Sequence, residues 1–137
     1  MGDAMLPAVD TRWFVIVNPV AGKGRGLDDF PQISKLLRDE GILSEPVFTE
    51  HKFHATELTV MAVRQGFRHI IVVGGDGTLH EVVNGLFIQQ VVRPDQVLLA
   101  VIGVGTGNDW VRMFGMPSRY REAICLLYTS DAADEGL

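Results

Sequence analysis

The chain has 137 residues, 47% of them hydrophobic, with 12 Lys and Arg against 17 Asp and Glu for a formal charge of −5. That length suits one domain with a core of its own, and the composition is not that of a disordered chain. The acidic balance argues against a broad nucleic-acid surface, and no apolar run approaches the roughly 18 residues of a membrane span.

Met1 to Trp13 lacks the basic and apolar regions of a secretory signal, and Leu6 stands where a myristoylation signal wants Ser or Thr. The single Cys125 precludes an internal disulfide and fits a reducing compartment. A cytoplasmic protein is expected.

Residues 1–11 read as a flexible lead. Trp13 to Val17 is a short apolar run rich in β-formers, as in a strand buried on both faces of a parallel sheet. It feeds Asn18-Pro19-Val20-Ala21-Gly22-Lys23-Gly24-Arg25-Gly26, a loop with glycines at alternate positions and two cations. Phe30, Ile33, Leu36 and Leu37 then follow helical spacing, with Asp28 or Asp29 as N-cap and Gly41 as the stop. Pro46 to Thr49 reads as a second strand. Ala55, Leu58, Met61 and Ala62 form a helical stripe closed by Gly66.

Ile70 to Val73 is the next buried strand, ending in Gly74-Gly75-Asp76-Gly77-Thr78. A helix follows from about Leu79 to Gln89. Leu79, Val82, Val83, Leu86 and Phe87 share its apolar arc, and His80, Glu81 and Asn84 lie on the next. Glu81 and Asn84, three residues apart, can meet. Val97 to Ile102 is another buried strand, followed by Gly103-Val104-Gly105-Thr106-Gly107-Asn108-Asp109. Ser118 to about Leu127 is a last helix. Cys125 to Glu135 resembles a translated library adapter, so a natural sequence is expected to break off near Ile124, with residues 125–137 a non-native tail.

Strands alternating with helices over short connections predict an α/β layered fold with a mostly parallel sheet and flanking helices. Three strands end in glycine-rich turns, and a parallel sheet sets all such turns on its carboxyl edge, where ligands bind in open α/β folds. Asn18–Gly26, Gly74–Thr78 and Gly103–Asp109 are therefore expected to converge. A strand, a tight glycine turn and a helix together aim backbone N–H groups at an anion. The P-loop pattern fails, because Gly24 follows Lys23 and Val17 holds the upstream glycine position. The dinucleotide fingerprint fails at Leu27 and at Asn108.

Gly74-Gly75-Asp76-Gly77-Thr78 followed by Glu81-Val82-Val83-Asn84-Gly85-Leu86 resembles the diacylglycerol kinase catalytic domain family. That family takes in bacterial diacylglycerol and YegS-like lipid kinases and sphingosine kinases, with NAD kinases and phosphofructokinases as fold relatives. Asn18-Pro19-x-Ala21-Gly22 is similar to its first nucleotide loop, and Gly105-Thr106-Gly107-Asn108-Asp109 with Arg112 to its third. Gly103, His80 and Trp110 depart from the residues common there, and none removes a group the chemistry needs.

The resemblance implies an ATP-binding domain over residues 12–124, with a β-rich C-terminal domain absent from this sequence. It implies that Asn18, Pro19, Gly22, Thr49, Gly74, Gly75, Asp76, Gly77, Thr78, Leu79, His80, Thr106, Gly107 and Asn108 line the nucleotide site. Asp76 is the expected catalytic residue, acting through Mg²⁺, the nucleotide or the acceptor hydroxyl. An Asx-turn is its structural alternative. Lys23 or Arg25 can offset phosphate charge or stay solvated. Asp109 can fix the third loop or cap a helix, and Glu81 and Asn84 support the central loop. The His residues show no metal-ligand spacing, and no protein metal ligand is assigned.

The function implied is transfer of the ATP γ-phosphoryl group to a lipid hydroxyl such as diacylglycerol. ATP and Mg²⁺ are the implied cofactors, and peripheral contact with the inner membrane face and a homodimer are possible associations. An NAD kinase-like enzyme and a non-enzymatic nucleotide-binding module are the alternatives.

Overall fold

A computed structural model of the chain describes residues 10–104. Strand β1 spans Asp10–Val17, helix α1 Ala21–Asp39, β2 Ser44–Phe48, α2 His54–Arg64, β3 Phe67–Gly74, α3 Asp76–Ile88 and β4 Leu98–Gly103. A short 3₁₀ turn, Pro94–Gln96, leads into β4. The four strands form one parallel sheet in the order β2-β1-β3-β4. The α/β layered, parallel architecture expected from the sequence is the one observed.

Residues Phe14 to Val17 and Ile70 to Val73 are almost wholly buried, because helices cover both faces of the central strands. Val15, Val17, Ile71, Val73, Ala100 and Ile102 face α1, which contributes Phe30, Ile33 and Leu37. Phe14, Ile16, Ile70 and Val72 face the opposite way, onto Ala55, Leu58, Ala62 and Val63 of α2 and Val82 and Leu86 of α3. Each fully buried aliphatic side chain of this kind contributes about 1.5–3 kcal/mol through removal from water.

Several boundaries differ from expectation for identifiable reasons. β1 begins at Asp10, so the expected lead gives its last two residues to the sheet. The helical segment after β1 begins at Ala21, with Val20 as N-cap, and not at Asp28 or Asp29. Asp29 instead pairs with Arg25 one turn earlier, at 3.3 Å. Within that segment Gly22, Lys23 and Gly24 have left-handed φ of 62°, 61° and 96°, so regular helix starts only beyond them. Gly41, at φ +77°, ends α1 as expected: its N–H donates to the Arg38 carbonyl and that of Ile42 to Leu37.

α3 starts at Asp76, three residues ahead of expectation, with Gly75 as N-cap. Its buried stripe is Thr78, Val82, Gly85 and Leu86, while Phe87 is 70% exposed. The stripe is rotated because α3 also packs on α2. There Gly85 approaches so closely that an added Cβ would lie 2.7 Å from Thr59 Cβ and 2.8 Å from the Thr56 carbonyl oxygen.

Candidate active site

The strand register sets the ends of three strands level. Val17 pairs with Phe48 on one side and Val73 on the other, and Gly74 pairs with Gly103. The next residues, Asn18 and Thr49, therefore stand in the row of Gly74. The row is stitched by backbone bonds: Asn18 N–H to the Val73 carbonyl at 2.9 Å, Thr49 N–H to Val17 at 2.8 Å, and Val104 N–H to Gly74 at 3.2 Å. Chain direction then parts. α1 leaves β1 toward one face of the sheet and α3 leaves β3 toward the other, which opens a crevice between these neighbouring strands.

A cavity of about 380 Å³ occupies this edge, lined by Asn18, Pro19, Val20, Thr49, Glu50, His51, Lys52, Ala55, Gly77, Thr78 and Glu81. Its size falls within the range of small-molecule sites. Asn18 ties two walls together: its amide Nδ2 donates to Thr78 Oγ1 at 3.1 Å, and its Oδ1 accepts from the Val20 N–H at 3.2 Å. The first loop turns sharply at this point. A Cβ on Gly26 would lie 2.0 Å from the Asn18 carbonyl oxygen, so only glycine lets α1 return against the loop. The Leu27 N–H closes that return on the Pro19 carbonyl at 3.1 Å.

The central turn supplies the anion-binding end of a helix. Leu79 N–H is the first to bond back within α3, to Gly75. The N–H groups ahead of it have no helical partner and carry the positive end of the helix dipole. Gly74 is required here because a Cβ would meet Thr78 Oγ1 at 2.8 Å. Asp76 is exposed on the first turn.

Five of the sequence-identified site residues line the cavity: Asn18, Pro19, Thr49, Gly77 and Thr78. Gly74, Gly75 and Asp76 belong to the adjoining turn. Gly22 lies in the left-handed stretch of the first loop, while Leu79 and His80 lie farther along α3 and are not part of the lining. Thr106, Gly107, Asn108, Asp109 and Arg112 lie outside the described residues, as do the last helix and the tail. The expected convergence of three loops is therefore seen for two of them, with Gly103 beside Gly74 marking where the third departs.

The loop after β2 is the part that sequence reasoning passed over, Thr49 apart. It contributes Glu50, His51 and Lys52 to the lining, and among the described residues Lys52 is its only Lys or Arg. Arg25 is engaged by Asp29, and Lys23 is exposed outside the cavity. The available signal was positional: any loop leaving a parallel strand at its carboxyl end reaches this edge, with or without glycine. His51 and His54 stack at 4.4 Å between ring centroids, and the Glu50 N–H donates to His54 Nδ1 at 2.9 Å. Glu81 does not reach Asn84. Its carboxylate accepts from the Phe53 and Ala55 N–H groups at 3.2 and 3.3 Å.

The profile of the diacylglycerol kinase catalytic domain matches residues 12–134. YtlR of Bacillus subtilis (strain 168) is 37% identical over 109 residues, which cover 77% of this chain and 34% of that protein. The diacylglycerol kinase of Staphylococcus haemolyticus (strain JCSC1435) is 34% identical over 110 residues, 80% of this chain and 32% of that one. The crystal structure of a diacylglycerol kinase from Bacillus anthracis str. Sterne resembles the fold with a TM-score of 0.64 at 31% identity, covering 88% of this chain and 40% of the other. The chain thus spans about a third of the length of these curated relatives.

Proposed function

The chain belongs to the diacylglycerol kinase catalytic domain family, and from that membership and the geometry of the strand ends we propose that it forms the ATP-binding part of a lipid kinase. The reaction is transfer of the ATP γ-phosphoryl group to a lipid hydroxyl, with diacylglycerol the leading acceptor. The observation that carries this reading is the level row of Asn18, Thr49 and Gly74 beside the cavity and the amino end of α3.

Phosphoryl transfer asks mainly for positioning and for compensation of charge. The first-turn N–H groups of α3 and the Lys52 ammonium answer the charge of the phosphates. Asn18, linked to Thr78, fixes the distance between the walls of the cleft. Asp76 sits beside Gly77 and Thr78 of the lining and faces solvent, where a reacting phosphate or hydroxyl can reach it. The acceptor oxygen attacks the γ-phosphorus, the bond to the β–γ bridging oxygen breaks, and the acceptor proton passes to a base.

Among the described residues no group of three or more His, Cys, Asp and Glu side chains forms a metal cage. Mg²⁺ in kinases needs no such cage, being held chiefly by substrate phosphates plus one or two carboxylates. Asp76, exposed on the first turn of α3, would be the carboxylate to hold it, and the ion would neutralise phosphate charge.

No helix among the described residues is long and apolar enough to cross a membrane. The lipid would be met by peripheral contact, and the groups that bind it are sought in the portion of the relatives that this chain does not span. On that account the 137-residue chain alone transfers little phosphate.

Radiolabelled ATP offered with a lipid panel, with NAD and with neither tests the reading, using the chain extended to the length of its relatives. Label is expected in a lipid. Asp76→Asn should lower transfer by at least about 100-fold, in the range of losing an acid–base or electrostatic group, while ATP binding persists. Label in NAD alone would make the protein an NAD kinase-like enzyme. Binding without transfer to any acceptor would make it a nucleotide-binding module.

A further inference from the structure

Phe53 is the N-cap of α2, yet its φ of 68° lies in the left-handed region and it offers no capping side chain. A bulky residue rarely adopts that conformation, and it persists only where the surroundings impose it. Those surroundings include the Lys52 ammonium, 5.2 Å from the centre of the Phe53 ring, and above all Glu81, on α3. Its Oε2 accepts the Phe53 N–H and its Oε1 the Ala55 N–H, while Thr56 Oγ1 donates to the Glu81 carbonyl at 2.7 Å. Among the described residues no Lys or Arg pairs with this carboxylate. It is spent on the amino end of α2, where negative charge is favoured.

The two elements joined in this way both line the cavity, as do Ala55 and Glu81 themselves. One is the segment Thr49 to Lys52, which runs directly into Phe53. The other is the first turn of α3, with Gly77 and Thr78 one helical turn ahead of Glu81. The cavity face of the β2–α2 loop has no strand or helix of its own to hold it. We infer that Glu81 is a positioning residue for the nucleotide: by clamping Phe53 in its left-handed conformation it holds the Thr49–Lys52 wall against the Gly77–Thr78 wall. This rests on the nucleotide reading above and adds to it a lining residue that acts on ATP through the β2–α2 loop.

The test is ATP–Mg²⁺ binding by direct titration of the chain. It is run well below the unfolding temperature, with folding of each variant checked by circular dichroism. Removing a charged acceptor of two N–H groups with Glu81→Ala should weaken ATP binding about tenfold. Phe53→Gly takes the left-handed conformation freely but loses the ring beneath Lys52, so its own dissociation constant is the reference for the second variant. In that background Glu81→Ala should cost about threefold or less, since the clamp has less to impose. A merely structural cap would lower the thermal midpoint and leave the dissociation constant of the folded protein unchanged. A folded Glu81→Ala variant with a dissociation constant within about twofold of the parent therefore overturns the inference. If Glu81→Ala does not fold, Glu81→Gln, which keeps one acceptor oxygen, carries the test, and unchanged binding there overturns the inference. A parent chain that binds no ATP removes the nucleotide reading and the inference with it. A parent that binds ATP yet transfers no phosphate when extended leaves this result standing and overturns only the lipid kinase.

Discussion

His69 shows how one side chain can make stability depend on pH without taking part in the site. On β3 it sits directly across from Trp13 of β1 and Leu98 of β4, at the opposite end of the sheet from the cavity. Its ring lies 4.9 Å from the Trp13 ring, and its buried Nδ1 has no hydrogen-bond partner. Burial disfavours the charged imidazolium and lowers the pKa from its ordinary 6.5. The folded state then binds fewer protons than the unfolded state as pH falls below 6.5. Its contribution is intact above that value and is lost as the pH drops through the folded pKa. The thermal midpoint should therefore decline between pH 7 and 5.5 more in the parent than in His69→Phe, which keeps a ring against Trp13. Parallel slopes in the two proteins would show that His69 does not titrate with folding. From the sequence His69 could be read only as a surface or packing residue, because its unpartnered nitrogen depends on which strands lie beside β3.

The pairing of α2 with α3 turns on Gly85. Its missing side chain lets the helices approach until Thr56 and Thr59 fill the space. Gly85→Ala would have to push the helices apart or shift their backbones, and should cost about 1–3 kcal/mol. Urea unfolding checks this, with an unchanged midpoint counting against the close approach. The same contact explains what the hydropathy pattern missed. Counting large apolar residues put Phe87 on the buried arc of α3. Burial instead follows Thr78, Val82, Gly85 and Leu86, because the small residues are those a neighbouring helix can cover. The strands were plain by contrast. WFVIV and the Ile70–Val73 run are apolar on both faces, which only a doubly covered parallel strand explains. The first loop was read for its composition, but not for its backbone: three successive left-handed residues carry the chain into α1. The loop after β2 carried neither glycine nor hydropathy signal, so its share of the cavity emerged only with the register.

At the scale of the whole molecule, the site is a place where separate elements meet. Asn18 follows β1, Thr49 follows β2, and Thr78 begins α3 behind β3, and they come together only when the parallel sheet is in register. An unfolded chain keeps none of this arrangement, so a ligand held there binds the folded state alone and must raise its stability. At ATP near ten times its dissociation constant the gain is about 1.4 kcal/mol. In a domain of this size that corresponds to roughly 4–10 °C in thermal midpoint. The shift should grow with ATP concentration. It should shrink in Asn18→Ala, which loses the bond to Thr78 Oγ1 and the bond from the Val20 N–H. NAD at the same concentration should give a smaller shift, since the dinucleotide fingerprint fails at Leu27 and at Asn108. Differential scanning fluorimetry with ATP, NAD and no ligand reads all of these on the chain itself. An equal shift with NAD would favour the NAD kinase-like alternative. An ATP shift undiminished in Asn18→Ala would place the nucleotide away from the β1–β3 crevice, because no ligand wedged between those strand ends could ignore the residue that joins them.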